Sequence, residues 1–391
     1  MSTAGHEHPS DLGFSTRAVH AGDPPRVVGE PVVNPIYQTS TFFSDPAGEG
    51  EVFYSRYGNN PNHRRVEERV RDLEGAEACL VTGSGMGAMV SAILSCVRAG
   101  DHILAAEALY GGTRILLDRE LSRLGIESSY ADLLAPGWER HLRDNTTVVL
   151  CETLSNPLLR FTDPADLAPV CRERGAALIV DATFTPSYNL RTLSRGADLV
   201  VHSATKYYGG HSDVTAGLVC GSEERMAPVR QRAVTFGVAP DAHAAWILER
   251  GIKTLALRME RHNRNGLEVS RWCEGRAGIR RVHYPGLESH PDHARAAEVL
   301  TGFGGMMGIE LEGGGDAATR FVSALRLVKP APSLGGVDTL VSEPRHTSHV
   351  AMTPEARAAQ GLADGFVRFS LGIEDPEDII ADIDQALKTI G

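Results

Sequence analysis

Lys206 sits where a lysine is costly. The run DLVVHSATKYYGGH covers 198–211. It reads as an apolar strand that ends near His202, then two hydroxyls at Ser203 and Thr205, then the lysine. Burial disfavours a charged ammonium, and lysine is seldom found inside. One escape is a covalent imine with an aldehyde. Ser203 and Thr205 could then donate to a phosphate on that aldehyde. A surface lysine in a loop, beside Gly209 and Gly210, is the plain alternative.

Two more elements bear on that choice. In VTGSGMGAM (81–89), Gly83, Gly85 and Ala88 satisfy G-x-G-x-x-A between a strand and a helix. This is a dinucleotide fingerprint, and Glu107 ends the next apolar run, where a ribose-binding acid would fall. The physics is more general. Glycines let the backbone approach an anion, and a helix N-terminus offers free N–H groups. A tight strand-to-helix turn would look the same. Asp181 closes the strand ALIVD, where capping is the ordinary explanation. Pyridoxal 5'-phosphate needs all three parts: a Schiff-base lysine, an acid for its ring nitrogen and a phosphate cradle. A nicotinamide enzyme is the competing reading. It accounts for the glycines but not for Lys206, Ser203 and Thr205.

The chain that must position these residues has 391 of them, 42% apolar and 23% charged. That predicts two or three domains with a large core, without disulfide or metal support. It excludes collagen-like, disulfide-scaffold and wholly disordered classes. Net charge is −11, a poor basis for nucleic-acid binding. The six cysteines form no C-x-x-C pair, which fits buried thiols in a reducing compartment. The first thirteen residues carry no apolar signal core, and no run is long enough for a bilayer. The expectation is a cytoplasmic protein, with no membrane and no nucleic-acid partner.

Residues 1–60, rich in Pro, Gly and short polar runs, read as an arm. Asn60, Pro61 and Gly75 frame a helix over 61–74 with Val66, Val70 and Leu73 on one face. Asp163, Pro164 and Gly175 frame another. Apolar strands fit 79–82, 102–105, 147–151, 177–181, 198–202 and 216–220. Strands alternating with helices predict an α/β fold with a mostly parallel sheet. From about 241 a helical connector leads to a smaller α+β C-terminal part. That part is expected to have strands at 304–311 and 366–371, a core helix at 319–327 and a last helix capped by Asp375. The domain division predicted is 1–60, 61–250 and 251–391. His290, His293, His346 and His349 lack companion ligands and are expected to be loop or surface histidines rather than a metal site.

The stretches PIYQTSTF (35–42), YSRYGN (54–59), LEGAEACLVTGSGMGA (73–88), LYGGT (109–113), SNP (155–157), HSATKYYGGHSD (202–213), IKTLALRM (252–259), SLGGVDTL (333–340) and VRFSLGIED (367–375) occur in the order of a known family. The chain resembles the Cys/Met-metabolism group of pyridoxal-phosphate enzymes from about Phe14 to its end. That group includes cystathionine γ-synthase, cystathionine γ-lyase, methionine γ-lyase and O-acylhomoserine sulfhydrylases. The resemblance implies an aspartate-aminotransferase-like fold (fold type I) and a homotetramer, a dimer of dimers with active sites shared across the dimer interface.

It also implies roles. Lys206 would bind the cofactor and move protons, and Asp181 would face the ring nitrogen with Thr183 nearby. Tyr110 would stack on the ring and handle the leaving-group proton. Gly85, Met86, Ser203 and Thr205 would hold the phosphate, helped by Tyr54 and Arg56 of a neighbouring subunit. Asn156, Ser333 and Arg368 would bind the substrate carboxylate. The implied reaction is γ-elimination or γ-replacement on a sulfur or γ-activated amino acid, first of the cystathionine γ-synthase/γ-lyase kind. Methionine γ-lyase or sulfhydrylase activity is the alternative. A specialised enzyme using S-adenosylmethionine or another activated homoserine is a further one. A catalytically silent scaffold is disfavoured by Lys206, Asp181 and Arg368 standing together. The chain departs from the family pattern at an extra Asn (Asn59, Asn60), Gly112, Leu154, Ala182 and Pro332.

Overall fold

The computed structural model describes residues 12–25, 27–347, 350, 353–359 and 361–390. His349 and the first eleven residues of the expected arm lie outside them. The strands of the larger sheet are β1 Ala78–Thr82, β2 His102–Ala106, β3 Glu127–Ala131, β4 Thr146–Glu152, β5 Ala177–Asp181, β6 Leu199–His202 and β7 Gly217–Gly221. They lie in the order β1-β7-β6-β5-β4-β2-β3. Strands β2 to β6 are parallel, and only β7 is reversed, pairing antiparallel with both β6 and β1.

The central strands are almost wholly apolar because both faces are covered. Ile179 and Val201 pack on the side of the helix Gly85–Cys96. Leu178, Val180 and Val200 pack on the opposite side, against Leu167 and Cys171 of the helix Pro164–Arg174. Both helices framed by Pro and Gly form as their sequence signals indicate. Asn60 accepts from the Asn62 amide at 2.9 Å, and Asp163 accepts from the Ala165 amide at 3.0 Å. Gly75 and Gly175 close them in the left-handed conformation that glycine adopts without a Cβ penalty. Val66, Val70 and Leu73 are fully buried. All six cysteines are free thiols, five of them buried.

The second sheet holds β8 Ile279–His283, β9 Met306–Leu311, β10 Lys329–Pro330, β11 Leu340–Ser342 and β12 Phe366–Ser370, in the order β10-β11-β12-β9-β8. The connector is two helices, Ala242–Ile252 and Leu255–Cys273. Three details differ from the sequence expectation. The core helix runs Gly314–Ala324, so Phe321 is in it while Leu325 and Val328 lie beyond its end. Strands β3, β8, β10 and β11 were not expected; β3, β8 and β10 are short or polar sheet edges, and β11, paired on both sides, is only three residues long. Asp375 precedes the last helix, Pro376–Leu387, but its side chain makes no cap bond and pairs with Arg261 at 2.9 Å.

Three histidines are stored neutral. His102 is bracketed by the hydroxyls of Thr146 and Ser129, His262 meets the Leu371 carbonyl, and His290 is buried in a loop. Burial, aided by nearby arginine charge, pushes each imidazole down to about 4. The unfolded chain takes up these protons near pH 6.5, whereas the folded chain resists until about 4. Their contribution is therefore complete above pH 6.5 and is lost as the pH falls toward 4. The loss is about 1.4 kcal/mol per pH unit for each imidazole. Urea midpoints should fall steeply between pH 7 and pH 5, and a flat profile would contradict the neutral assignment. Among the described residues, no group of three His, Cys, Asp or Glu could hold a metal ion. No helix among them is long and apolar enough to cross a membrane.

Candidate active site

Strands β1, β4, β5 and β6 all deliver residues from their carboxyl ends to one place, as open α/β sheets do. After β1, Ser84 caps the helix Gly85–Cys96, its Oγ accepting from the Gly87 amide at 3.0 Å. After β6, Lys206 lies in a turn closed by Lys206 N–H to the Ser203 carbonyl (3.1 Å) and Gly210 N–H to the Lys206 carbonyl (2.7 Å). The two loops touch. A Cβ on Gly85 would come within 2.7 Å of the Ser203 Cβ, so this position must be glycine for the helix start to lie against Ser203.

Between the loops and the second sheet lies a cavity of about 640 Å³. It is lined by Gly85, Met86, Tyr110, Asn156, Asp181, Thr183, Ser203, Thr205, Lys206, Ser333 and Arg368. These are all the expected site residues except Tyr54 and Arg56. That pair lies away from this cavity in the same chain, where Arg56 packs over the Tyr54 and Tyr57 rings and donates to the Val234 carbonyl at 3.0 Å. Thr205 lines the cavity, but its hydroxyl already exchanges bonds with the Ala216 backbone.

The electrostatics follow from burial. Lys206 Nζ donates to Ser333 Oγ at 2.8 Å. Burial, then the nearby Arg368 charge, holds its amine below the ordinary lysine range. Asp181 accepts from the Thr183 amide at 2.9 Å. Burial raises its carboxyl, while both Thr183 donors and His202 pull it back. Arg368, from the middle of β12, donates to Asn156 Oδ1 at 3.0 Å and to the Ser333 carbonyl at 3.3 Å. Ser333 thus joins the lysine to the arginine. It does so at a φ of +89°, a left-handed conformation costly for a non-glycine residue.

Glu152 is a cavity residue that sequence reasoning missed. It ends β4 directly beside Asp181 in the sheet register, and its carboxylate accepts from the Tyr110 amide at 2.6 Å. Burial, with Asp181 adjacent, raises its carboxyl well above the ordinary range. The signal that picked out Asp181, an acid closing an apolar strand, was equally present in VVLCE. The departures from the family pattern also find physical places. A Cβ at Gly112 would strike the Tyr110 ring at 2.5 Å. The extra asparagine is absorbed by the helix cap. There Asn59 accepts from the Tyr54 amide, and Asn60 donates to the Tyr37 carbonyl. Leu154 and Pro332 line the cavity, and Ala182 is buried beneath Asp181.

The donor set suits pyridoxal 5'-phosphate. A lysine held below its ordinary range, a half-buried carboxylate for the ring nitrogen, and a glycine-opened helix N-terminus with hydroxyls for the phosphate all face one cavity. By contrast, Glu107 is exposed and lines a different cavity, so the nicotinamide reading loses its ribose acid.

A cofactor-dependent site at the strand ends of an α/β sheet, closed by a second sheet, is the class defined so far. The chain belongs to the Cys/Met metabolism PLP-dependent enzyme family, whose model matches residues 15–388. It is 39% identical over 388 residues to L-methionine gamma-lyase of Pseudomonas putida, covering 96% of this chain and 97% of that one. It is 38% identical over 396 residues to O-succinylhomoserine sulfhydrylase of Pseudomonas aeruginosa, with 97% of each covered. The crystal structure of cystathionine gamma synthase from Xanthomonas oryzae pv. oryzae, in complex with aminoacrylate and cysteine, superposes with a TM-score of 0.93. It is 36% identical and covers 97% of this chain and 98% of that one. The fold is therefore the type I fold, the cofactor is pyridoxal phosphate, and the protein is an enzyme.

Proposed function

We propose that the chain catalyses γ-elimination or γ-replacement on an amino acid with a sulfur or otherwise activated γ substituent, in the manner of cystathionine γ-synthases and γ-lyases. The observation that carries this is the convergence on Ser333. The Lys206 amine reaches its hydroxyl and the Arg368 guanidinium reaches its carbonyl, which sets a base beside a carboxylate-binding fork. Pyridoxal phosphate, when bound, supplies the electron sink that makes the α carbon acidic.

The protein residues do the rest. Arg368, with Asn156, receives the substrate carboxylate in a bidentate, charge-assisted contact. The Lys206 amine, held below the ordinary lysine range by burial and the Arg368 charge, takes and returns protons at the α and β carbons. Asp181 would pair with the ring nitrogen of the bound cofactor. Tyr110, half exposed at the cavity mouth, faces the leaving group with its phenol.

Methionine γ-lyase or sulfhydrylase activity is the second reading, and one observation favours it. Asp181 and Glu152 are the acids lining the cavity among the described residues, both at strand ends of the larger sheet, and Pro332 lines it before Ser333. Beyond those two, no carboxylate among the described lining residues is left for the distal ammonium of cystathionine.

A panel of cystathionine, methionine, O-acylhomoserines and S-adenosylmethionine, each with and without a thiol, tests both. A 2-oxo acid with ammonia, or a new γ-substituted amino acid, is expected from at least one. Turnover only by transamination or decarboxylation would overturn the reading.

Several coarser expectations belong to the same proposal. The arm leaves Val28, Val32 and Phe43 fully exposed, which supports burial against a second copy and a shared-site homotetramer. Tyr54 and Arg56 would then serve the neighbouring cavity. The division into 1–60, 61–250 and 251–391 is supported by the two separate sheets. A cytoplasmic location is supported by six free thiols.

A further inference from the structure

The stretch IKTLALRM has no part in the site so far, yet it places Arg258 against the back of the lysine turn. Arg258 is 3% exposed. Its partners are almost all main-chain carbonyls. The guanidinium donates to the carbonyls of Tyr207, Tyr208 (3.3 Å) and Gly251 (2.7 Å), and Nε donates to Thr254 Oγ1 at 3.1 Å. No carboxylate among the described residues pairs with it, and burial lowers it to about 10. A buried charge left so is costly unless something replaces the counter-ion. Here the replacement is the carbonyl end of the helix Ala242–Ile252, where the helix dipole favours a cation.

The surroundings are cut to admit it. A Cβ on Gly210 would lie 2.0 Å from the guanidinium, and a Cβ on Gly251 would lie 2.3 Å from the Gly209 carbonyl. Tyr207 and Tyr208 directly follow Lys206, so the guanidinium grips the turn that carries the amine. One helical turn on, His262 meets the Tyr207 ring edge-on and bonds the Leu371 carbonyl, three residues past Arg368. The helix Leu255–Cys273 therefore touches both the lysine turn and the arginine strand.

We propose that Arg258 is a positioning residue for Lys206. It fixes the Lys206–Gly210 turn so that Nζ stays held against Ser333 Oγ. The proposal rests on the reading of Lys206 as the cofactor lysine. The charged and titratable groups facing the amine are Arg368 from β12, Asp181 from β5, Glu152 from β4 and Tyr110. None of them is touched by the substitutions below.

The test compares holoenzymes: wild type, Arg258→Lys, Gly210→Ala and the mild Thr254→Ala. Lysine cannot span three carbonyls; Gly210→Ala sets a Cβ against the guanidinium without removing its charge, but it also strains the turn at a φ of +74°, so it counts only where it agrees with Arg258→Lys. The readout is the pH midpoint of the visible band of the lysine-bound cofactor, beside the thermal midpoint. Release of the turn lets water reach the lysine nitrogen that carries the cofactor and favours its protonated form, so the band midpoint should rise. A shift of about half a pH unit or more is expected in Arg258→Lys and Gly210→Ala, and a smaller one in Thr254→Ala. kcat should fall about tenfold or more, with little change in KM. If the two strong variants do not fold, the Thr254→Ala midpoint decides alone. Lowered thermal midpoints with an unmoved band would overturn the proposal and leave Arg258 a purely structural residue. A wild-type protein with no such band would instead overturn the reading of Lys206.

Discussion

Lys206→Ala should bind pyridoxal phosphate yet turn over γ-substituted amino acids at least about 10⁴-fold more slowly than the wild type. The side chain makes one hydrogen bond, to Ser333, so its loss should change stability by no more than about 1 kcal/mol. The cradle at Gly85 and Ser203 and the acid at Asp181 remain, so cofactor should still be retained. What disappears is the only amine lining the cavity among the described residues. No neighbour can take its place. Arg368 stays charged near neutral pH even with burial lowering it to about 10. Tyr110 caps the helix Gly111–Ile115, Glu152 ends β4, and Asp181 is committed to Thr183. A small primary alkylamine supplied in the buffer should restore part of the lost rate, since the vacated space beside Ser333 can admit it. Borohydride should fix cofactor to wild-type Lys206 and leave the variant unlabelled. Turnover above about one hundredth of wild type would remove Lys206 from the proposed role.

The sequence shows clearly where burial is two-sided and ends are capped. Strands β4, β5 and β6 are unbroken apolar runs because helices cover both faces. Asn60 with Gly75, and Asp163 with Gly175, spell out their helices by local bonds alone. Edges are harder to read. Glu127–Ala131 carries polar residues, and Ile279–His283 carries two exposed arginines, so neither shows the apolar run that marks a central strand. At the site, Lys206 and Asp181 stand out because a charge closing an apolar strand needs a reason. Arg258 does not, because the partners that tie it to the lysine turn, the Tyr207 and Tyr208 carbonyls, lie 51 and 50 residues away, and carbonyls have no sequence. Nor does the left-handed φ of Ser333, which only the packing of Arg368 against it reveals. Asp375 shows the converse error: a residue ideal for a cap, drawn off to an arginine on another helix.

Arg368→Met should separate function from stability in opposite directions. Arg368 is buried, has no carboxylate partner among the described residues, and donates to Asn156 and the Ser333 carbonyl. An unpaired buried cation destabilises the fold that contains it. It is tolerable where an incoming anion completes it, which is the expected condition of a carboxylate-binding fork before substrate arrives. Removing it deletes two charge-assisted bonds to the substrate, so kcat/KM should fall by about 10²–10³-fold, mostly through KM. The thermal midpoint of the same variant should hold or rise, because the desolvated charge is gone. The pH profile carries a third signature. Arg368 helps to hold the Lys206 amine below its ordinary range. Without it the amine keeps its proton to higher pH, and the limb of the rate profile that reports the free base should move upward. Arg368→Lys keeps the charge but not the fork, so KM should rise while that limb stays in place. A methionine variant that loses stability and keeps its KM would mean the guanidinium serves the sheet and not the substrate. The joint outcome expected here, weaker binding in a protein no less stable, is one that a merely structural arginine cannot produce.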